Sequence, residues 1–448
     1  MRQHPAKTLA LAACGCTALW AVQATAQTNG GQPSLDQLQQ QIQQLQQQVQ
    51  DLKTQQQAQP QGQDQGQAAN TTSAQSANPE TGAKQDNKKL TINGGVVAEY
   101  QVRDDHHSRN QRTGGDLILD YFDLGISGDA GNGITYGLDY RWSDVNFADD
   151  QMLHNGWAAY DFGAGDSSQV KGGFFQVPFG NLPFGYQSFW APGRYYLGFA
   201  DNQAAGLGYK YEANGWRLDI DAFKNDDLEQ NTTYGGNPSN GYDQINGGNV
   251  RVGYTFKPEA GTVNVSGSVR GGQLETDSVS GGDAMGNRWA ASAAVNASLG
   301  NWTLQGQYTD YRYNVADDSA LSGDSVIFEN YGYGYLAPAS GQMFSASIGH
   351  TFPVELGPIS SFSVYDDYDY LMVGGDGEYA SQAGFEGASG DTQVNVVGAQ
   401  MIAGPIYIWA EMISGKNAAM AFNGPNDDNW HHRFNLTAAY YFSGDLIQ

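Results

Sequence analysis

Ile134–Trp142, with the sequence ITYGLDYRW, is the stretch that decides the fold of this chain. Apolar and aromatic residues occupy the even-numbered positions of this stretch. The charged residues Asp139 and Arg141 both lie at odd-numbered positions. Successive side chains of a β-strand point to opposite faces, so this strand has one apolar and one polar face. A strand with lipid on one side and water on the other has this pattern.

The same alternation recurs along the chain from Leu90 to Phe442. It predicts sixteen strands spaced by about 22 residues, which suits strands of about ten residues joined by turns and loops. The predicted strands begin near Leu90, Asp116, Gly133, Asn155, Gln169, Ala205, Gly215, Gly247, Gly261, Asn287, Asn301, Met343, Ser360, Asp391, Gly404 and His431.

The connections between these strands alternate between short and long. An up-and-down barrel in an outer membrane has short periplasmic turns and longer external loops. The sheet must also close, because an open edge in lipid leaves backbone groups unpaired. We therefore predict an all-β fold over residues 90–448, a 16-stranded antiparallel transmembrane β-barrel. Its predicted long loops are 104–115, 144–154, 180–204, 225–246, 272–286, 314–342, 374–390 and 416–430.

Residues 1–26 have the features of a secretory signal peptide. Basic residues precede an apolar stretch, which ends in the cleavage pattern Ala24-Thr25-Ala26. A lipobox that would lipidate Cys14 is the alternative. Both cysteines, Cys14 and Cys16, lie in this segment, so the mature chain is predicted to have no disulfide or cysteine-bound metal.

Residues 34–54 are predicted to form a short α-helical coiled coil in the periplasm. Such a helix buries its apolar seam only against another helix, so the segment predicts self-association. The alternative is a glutamine-rich disordered stretch with chance spacing. Residues 55–89 have almost no large apolar side chain and are predicted to be a flexible linker. The heptad places Leu35, Ile42 and Val49 at a, and Leu38, Leu45 and Leu52 at d.

Composition narrows the possible functions. Charged residues make up only 15% of the chain, against about 25% in ordinary soluble proteins. The formal net charge of −25 argues against nucleic acid as a partner, because phosphates attract Lys and Arg. We find no Gly-x-Ser-x-Gly or His-Glu-x-x-His motif, and no metal site is predicted. We therefore predict neither an enzyme nor a cofactor.

Three motifs lie within residues 117–190: DYFD at 120–123, YGLDY at 136–140 and KGGFFQVPFG at 171–180. The last is similar to the Gly-x-Phe-x-x-Pro-Phe-Gly segment ahead of the third external loop in the phosphate-selective porin O and P family. Tyr440-Tyr441-Phe442 resembles the closing strand of that family. The resemblance implies a trimeric 16-stranded channel. The chain also resembles porin-like sugar and dicarboxylate channels that have an N-terminal coiled coil.

Two features depart from the family pattern. Such porins end at the terminal Phe, whereas six residues follow Phe442 here. The family's phosphate-selective members are lined by rows of Arg and Lys, whereas Asp and Glu outnumber Lys and Arg by 47 to 22 in this chain. We therefore do not transfer phosphate selectivity to this chain.

The resemblance implies that the third external loop, 180–204, folds into the lumen and sets its narrowest point. Arg194 is the only cation of this loop. With Asp201, Arg194 either creates an electric field across the lumen that orients dipolar solutes, or forms a plain salt bridge within the loop. The loop's aromatic side chains either stack against sugar rings or aromatic solutes, or pack against the barrel wall. The candidate constriction residues are Arg194, Asp201, Phe189, Trp190, Tyr195 and Tyr196.

Charges of both signs are predicted to line the lumen, where charged rings tune ion preference. For each of these residues, pairing with a wall charge is an equally strong alternative. By alternation the lumen-facing charges are Glu99, Arg103, Asp139, Arg141, Arg217, Asp219, Asp221, Arg251, Arg270 and Arg433.

Taken together, these features predict a porin in the outer membrane of a Gram-negative cell. It would form a water-filled channel for passive diffusion of ions, sugars or small organic acids. The predicted partners are outer-membrane lipid and lipopolysaccharide, two further copies in a homotrimer, and the barrel-assembly machinery during biogenesis. The alternatives are a phosphate- or anion-selective channel, and an outer-membrane anchor or adhesion protein that tethers the envelope through its coiled coil.

Overall fold

A computed structural model describes residues 89–104, 114–143, 151–226, 242–321, 323–330, 333–381, 386–421 and 424–447. The predicted signal peptide, the predicted coiled coil and all of the predicted linker except Lys89 lie outside the described residues, and they remain predictions.

Sixteen antiparallel strands form a closed barrel in which each strand pairs with its neighbours in sequence and the last pairs with the first. This confirms the predicted fold class, and every predicted strand is present. The barrel strands are β1 Lys89–Arg103, β2 Asp116–Gly131, β3 Ile134–Trp142, β4 Gln151–Phe162, β5 Ser168–Gln176, β6 Gln203–Ala213, β7 Trp216–Asn225, β8 Tyr242–Phe256, β9 Gly261–Asp277, β10 Asp283–Leu299, β11 Trp302–Asn314, β14 Ser340–Leu356, β15 Ile359–Val373, β18 Thr392–Ala403, β19 Ile406–Lys416 and β20 His431–Ile447.

Four further strands lie in the long loops and form two hairpins. β12 Ser325–Asn330 pairs with β13 Tyr333–Pro338, and β16 Glu378–Tyr379 pairs with β17 Ala388–Ser389. One helical turn, Gly193–Tyr196, lies in the third long loop. Within the described ranges, the other helical segments are the 3₁₀ turns Ala164–Asp166 and Ala419–Ala421. Among the described residues, no helix has the length and apolarity needed to cross a membrane.

The barrel closes where β1 pairs with β20, and the residues after Phe442 take part in this seam. Asp445 lies opposite Thr91 in the register. Its carboxylate accepts a hydrogen bond from Thr91 Oγ1 at 2.6 Å and lies 3.3 Å from Lys89 Nζ. The chain thus continues past Phe442 as paired strand, which gives a structural account of this departure from the family pattern.

The outer face of the barrel is apolar, with aromatic side chains concentrated near both ends. The two ends of the barrel are here called the short-turn end and the long-loop end. The short-turn end has the turns 132–133, 163–167, 214–215, 257–260, 300–301, 357–358 and 404–405. Aromatic girdles of this kind flank the apolar band of outer-membrane barrels. The exposed aromatic residues include Tyr160, Tyr211, Trp216, Phe256, Trp302, Phe352, Phe362 and Tyr440 in the short-turn row, and Trp142, Trp289, Phe344 and Phe434 in the long-loop row.

Most predicted connections agree with the structure to within about five residues at each end. At the turn between β6 and β7, Asn214 and Gly215 both have positive φ angles, 53° and 84°, which a two-residue hairpin turn requires. The predicted loop 272–286 is too long, because β9 continues to Asp277 and β10 begins at Asp283. Gly271 and Gly272 interrupt the sequence alternation there, but backbone pairing continues past them.

Candidate functional site

Residues 177–202, which join β5 to β6, fold into the lumen. The chain turns into the lumen at Gly180, which must be glycine for two reasons. Its φ is +63°, and a Cβ atom at this position would lie 2.2 Å from Gln307 Oε1 on β11. Arg251 Nε donates a hydrogen bond to the Gly180 carbonyl at 3.0 Å, and the amide of Asn181 donates to Gln307 Oε1 at 2.9 Å. The loop is thereby directed across the lumen from its own strands.

Carboxylates on the far wall hold the middle of this loop by its backbone. The amides of residues 187 and 188 donate to Asp367 Oδ2 on β15, at 2.9 and 2.7 Å. The next two amides, 189 and 190, donate to the two carboxylate oxygens of Glu411 on β19, at 2.7 and 3.0 Å. Tyr365 Oη donates to the same Glu411 carboxylate at 2.6 Å. Because a buried backbone amide that loses its acceptor is costly, these contacts fix the loop's path.

Arg194, in the helical turn, is fully buried and pairs with Asp369 on β15. Its Nη2 lies 2.7 Å from Asp369 Oδ1, and its backbone amide donates to Asp369 Oδ2 at 2.5 Å. Of the two alternatives for Arg194 and Asp201, the loop salt bridge is wrong, because Arg194 pairs with Asp369. The loop carries Arg194 to the far wall, whereas Asp201 lies on the returning segment, where Gln203 Nε2 donates to it at 2.9 Å and His154 Nε2 lies 3.8 Å away.

Most aromatic side chains of the loop are used in packing. Tyr195 and Tyr196 are buried and meet edge to face, with ring centroids 5.3 Å apart. Phe189 and Trp190 are half-buried. The Phe189 ring lies 5.0 Å from that of Trp409 on β19, and the guanidinium of Arg433 lies 3.8 Å above the Trp190 ring. Phe189 and Trp190 therefore pack against the wall and retain some exposed surface, whereas Tyr195 and Tyr196 are buried against each other.

Charged residues of the lumen wall are mostly paired with one another. Arg433 donates to Glu99 at 2.8 Å, and both side chains are only 2% exposed. Arg141 lies 3.4 Å from Asp139, and His154 Nδ1 lies 3.0 Å from the same carboxylate. These contacts favour the wall-pairing alternative for the two arginines.

The remaining predicted lumen charges occupy β1 and β7 to β9. Arg217 and Arg251 both approach Asp219, at 3.0 and 3.6 Å, and Asp221 accepts a hydrogen bond from Asn249 at 3.0 Å. The other two are Arg103, half-buried at the end of β1, and Arg270, which donates to the Gly198 carbonyl at 2.7 Å.

Sequence reasoning did not single out Asp367, Asp369 and Glu411, although a signal was present. Alternation places Asp367 and Asp369 on the same face as the buried Tyr365. Glu411 is the only charged residue between Ile406 and Gly415. A solitary carboxylate on the polar face of such a strand was therefore a candidate contact for an inward-folded loop.

The β12–β13 hairpin, inside the predicted loop 314–342, was also missed. Its residues Val326, Ile327 and Phe328 are at most 1% exposed. Tyr335 Oη donates to the Tyr196 carbonyl at 2.5 Å, and burial raises the pKa of the Tyr335 phenol well above its usual value, which keeps it a donor. The apolar run at 326–328 inside a long predicted loop was the available signal.

The hairpin, the third loop and the 3₁₀ turn at 419–421 contribute to one buried apolar cluster, which we call the long-loop core. It also includes inward side chains of β8, β9 and β11, such as Tyr242, Leu274 and Tyr311. Loop residues therefore occupy the lumen at the long-loop end. No group of three His, Cys, Asp or Glu side chains in the described ranges is arranged to hold a metal ion.

No protein-family model and no curated protein matches this chain. Similar solved structures exist. The outer-membrane channel DcaP of Acinetobacter baumannii has a TM-score of 0.52 and 12% identity, over 81% of this chain and 99% of that chain. OmpF of Salmonella typhi, in complex with daunomycin, has a TM-score of 0.50 and 12% identity, over 80% and 98%. OprB of Pseudomonas putida has a TM-score of 0.50 and 10% identity, over 80% and 94%.

These comparisons, together with the closed barrel, define the fold class of this protein. The chain has the fold of outer-membrane β-barrel porins and channels. At 10 to 12% identity the similarity concerns the fold alone, and it does not single out the phosphate-selective family.

Glu411→Gln is expected to loosen the third loop. A Gln side chain offers one acceptor oxygen where the carboxylate offers two, so one buried loop amide loses its partner, which costs about 1 to 3 kcal/mol. The denaturant midpoint of unfolding in detergent should fall, and open-channel current noise should rise. Glu212→Gln is the control, because Glu212 is an exposed carboxylate on β6. Equal effects of the two substitutions would refute the role given to Glu411.

Proposed function

We propose that this protein is a passive diffusion channel in the outer membrane of a Gram-negative cell, for small hydrophilic solutes such as ions, sugars or small organic acids. The observation that carries the proposal is the third loop, which wall carboxylates hold across the lumen of a closed barrel. Sixteen strands enclose more space than wall side chains alone fill. The proposed assembly is a homotrimer, with the coiled coil of residues 34–54 in the periplasm.

The paired charges support mild cation preference or neutral solutes. Arg194 and Arg433 each pair with a buried carboxylate, so their guanidinium groups are already occupied by the contacts that a phosphate would need. Asp367 and Glu411 accept hydrogen bonds from loop amides. Among the described residues, no salt bridge to Lys or Arg is found for either of them. These two carboxylates are therefore engaged by the backbone of the loop.

A second candidate is an envelope anchor whose barrel does not conduct. The specific observation in its favour is the long-loop core, in which the β12–β13 hairpin and the third loop bury apolar side chains against one another. In that case the coiled coil performs the function by contacting another envelope component, and the barrel holds it in the membrane.

Single-channel recording of the purified full chain in a planar bilayer, under a KCl gradient, tests the proposal. We expect stepwise openings in groups of three and a reversal potential that favours K⁺. Preference for Cl⁻ with block by added phosphate would contradict the proposed selectivity and support the anion-selective alternative. No conductance would support the anchor. Deleting residues 27–89 separates the two roles, because a channel keeps its conductance and a tether loses its function.

A further inference from the structure

Asp366 on β15 is a charged residue on the otherwise uncharged outer face of this strand. The register aligns Phe344 with Tyr370 towards the long-loop end and Phe352 with Phe362 towards the short-turn end, so Asp366 lies midway between the two aromatic rows. It is exposed, and its register neighbours Ile348 and Val397 are 45% and 50% exposed. On the described residues of β14, β15 and β18, it is the one Asp, Glu, Lys or Arg side chain that faces outward between these rows.

Asp366 belongs to a short polar strip that runs from mid-barrel towards the long-loop end. Asn395 Nδ2 on β18 donates to Asp366 Oδ1 at 2.5 Å, and Tyr368 Oη donates to Gln393 Oε1 at 2.8 Å. The bond from Asn395 is the only hydrogen bond to the Asp366 carboxylate from the described residues. Hydrocarbon supplies no donors for the remaining acceptor positions of this carboxylate. This face is therefore better suited to contact with another protein surface than to contact with lipid.

We propose that the outer face of β15 and β18 around Asp366 and Asn395, here called the Asp366 face, is the surface on which a second copy of this chain packs. The inference rests on the oligomer in the proposed function and assigns its contact surface. It commits to another copy of the chain, because two copies of this patch are complementary: each has the Asp366 carboxylate with free acceptor positions and the side-chain amide of Gln393, whose oxygen accepts from Tyr368 and whose two hydrogens have no acceptor among the described residues.

Two further features favour a second copy as the occupant. The coiled coil proposed for residues 34–54 would bury its apolar seam only against another chain, and this would hold copies of the barrel near one another. Ala346 and Ala399 lie on the same outer face as Asp366. Their small side chains let a neighbouring barrel approach closely, as small residues do at contacts between membrane segments.

Cysteine cross-linking of the full chain in outer-membrane vesicles tests this assignment. Val397→Cys places a thiol beside Asp366, and the matched control Leu207→Cys places one on the outer face of β6, on the other side of the barrel. With a short bis-maleimide, we expect at least tenfold more cross-linked dimer at Val397 than at Leu207. Cross-linking at Leu207 alone, or at neither position, would overturn the proposal.

Substitution of Asp366 gives a second readout. Asp366→Leu should lower the temperature at which the oligomer dissociates on a semi-native gel. Asp366→Asn should lower this temperature much less, because the amide still forms hydrogen bonds. If this face contacts lipid, the Leu variant would be unchanged or more stable, and the proposal would be wrong. Bilayer recordings of the same samples keep the questions apart, because conduction without cross-linking at Val397 refutes this surface and leaves the channel proposal intact.

Discussion

Removal of the β12–β13 hairpin is expected to raise the single-channel conductance severalfold. Replacing residues 325–338 with a short Gly-Ser linker removes the strand whose Val326, Ile327 and Phe328 are almost completely buried. It also removes the hydrogen bond from Tyr335 to the third loop. The barrel strands β11 and β14 pair directly with each other, so the wall does not depend on the hairpin. Conductance steps in a planar bilayer measure the effect.

The control for this deletion is replacement of residues 279–282, the exposed tip between β9 and β10, by a Gly-Ser segment of the same length. Val279 there is 74% exposed, so its loss leaves the long-loop core in place and should leave conductance nearly unchanged. If the hairpin deletion folds but conducts no better than the control, the long-loop core is not what limits passage through the lumen. The anchor candidate gains support if both variants fold and neither conducts.

Arg194→Ala is expected to cause the largest loss of stability of any single substitution in the loop. The Arg194 and Asp369 side chains are 0% and 2% exposed. Removing one partner of a buried pair leaves the other charge uncompensated, which costs about 3 to 5 kcal/mol. The free energy of unfolding, measured by guanidinium titration in detergent, should fall by this amount. Limited proteolysis should cut the variant within residues 177–202.

Arg217→Ala is the matched control, because it removes the same group from a more exposed pair. The Arg217 side chain is 23% exposed beside Asp219, and Asp219 keeps Arg251 as a second partner at 3.6 Å, so the loss of Arg217 leaves no uncompensated buried charge and should cost less. Similar losses in the two variants would mean that the Arg194–Asp369 pair does not hold the loop.

The strands were predictable because their signal is local. In β3, alternation alone identifies the apolar face of Ile134 and Leu138, and these side chains are 44% exposed on the outer face. Two-residue turns such as Asn214-Gly215 also carry their own backbone signature. Each of these features depends on residues that are adjacent in sequence, and a single sequence contains them.

The arrangement of the lumen was less predictable, because its contacts join distant parts of the chain. The resemblance indicated an inward third loop, but not that Arg194 would pair with Asp369, 175 residues away, instead of Asp201, seven residues away. Both carboxylates were compatible with the sequence. The choice depends on which wall the loop reaches, and this follows from the closed barrel.

The sequence separation of the loop contacts has a consequence for the order of assembly. Gln187 and Phe189 bind acceptors that follow them by 180 and 222 residues, on β15 and β19. These amides have no native partners until nearly the whole chain has been built into the wall, and contacts between such distant segments form late. We therefore expect a newly assembled barrel to be open first and to become narrow in a final step. Protease protection of residues 177–202 should appear after the β1–β20 seam has formed.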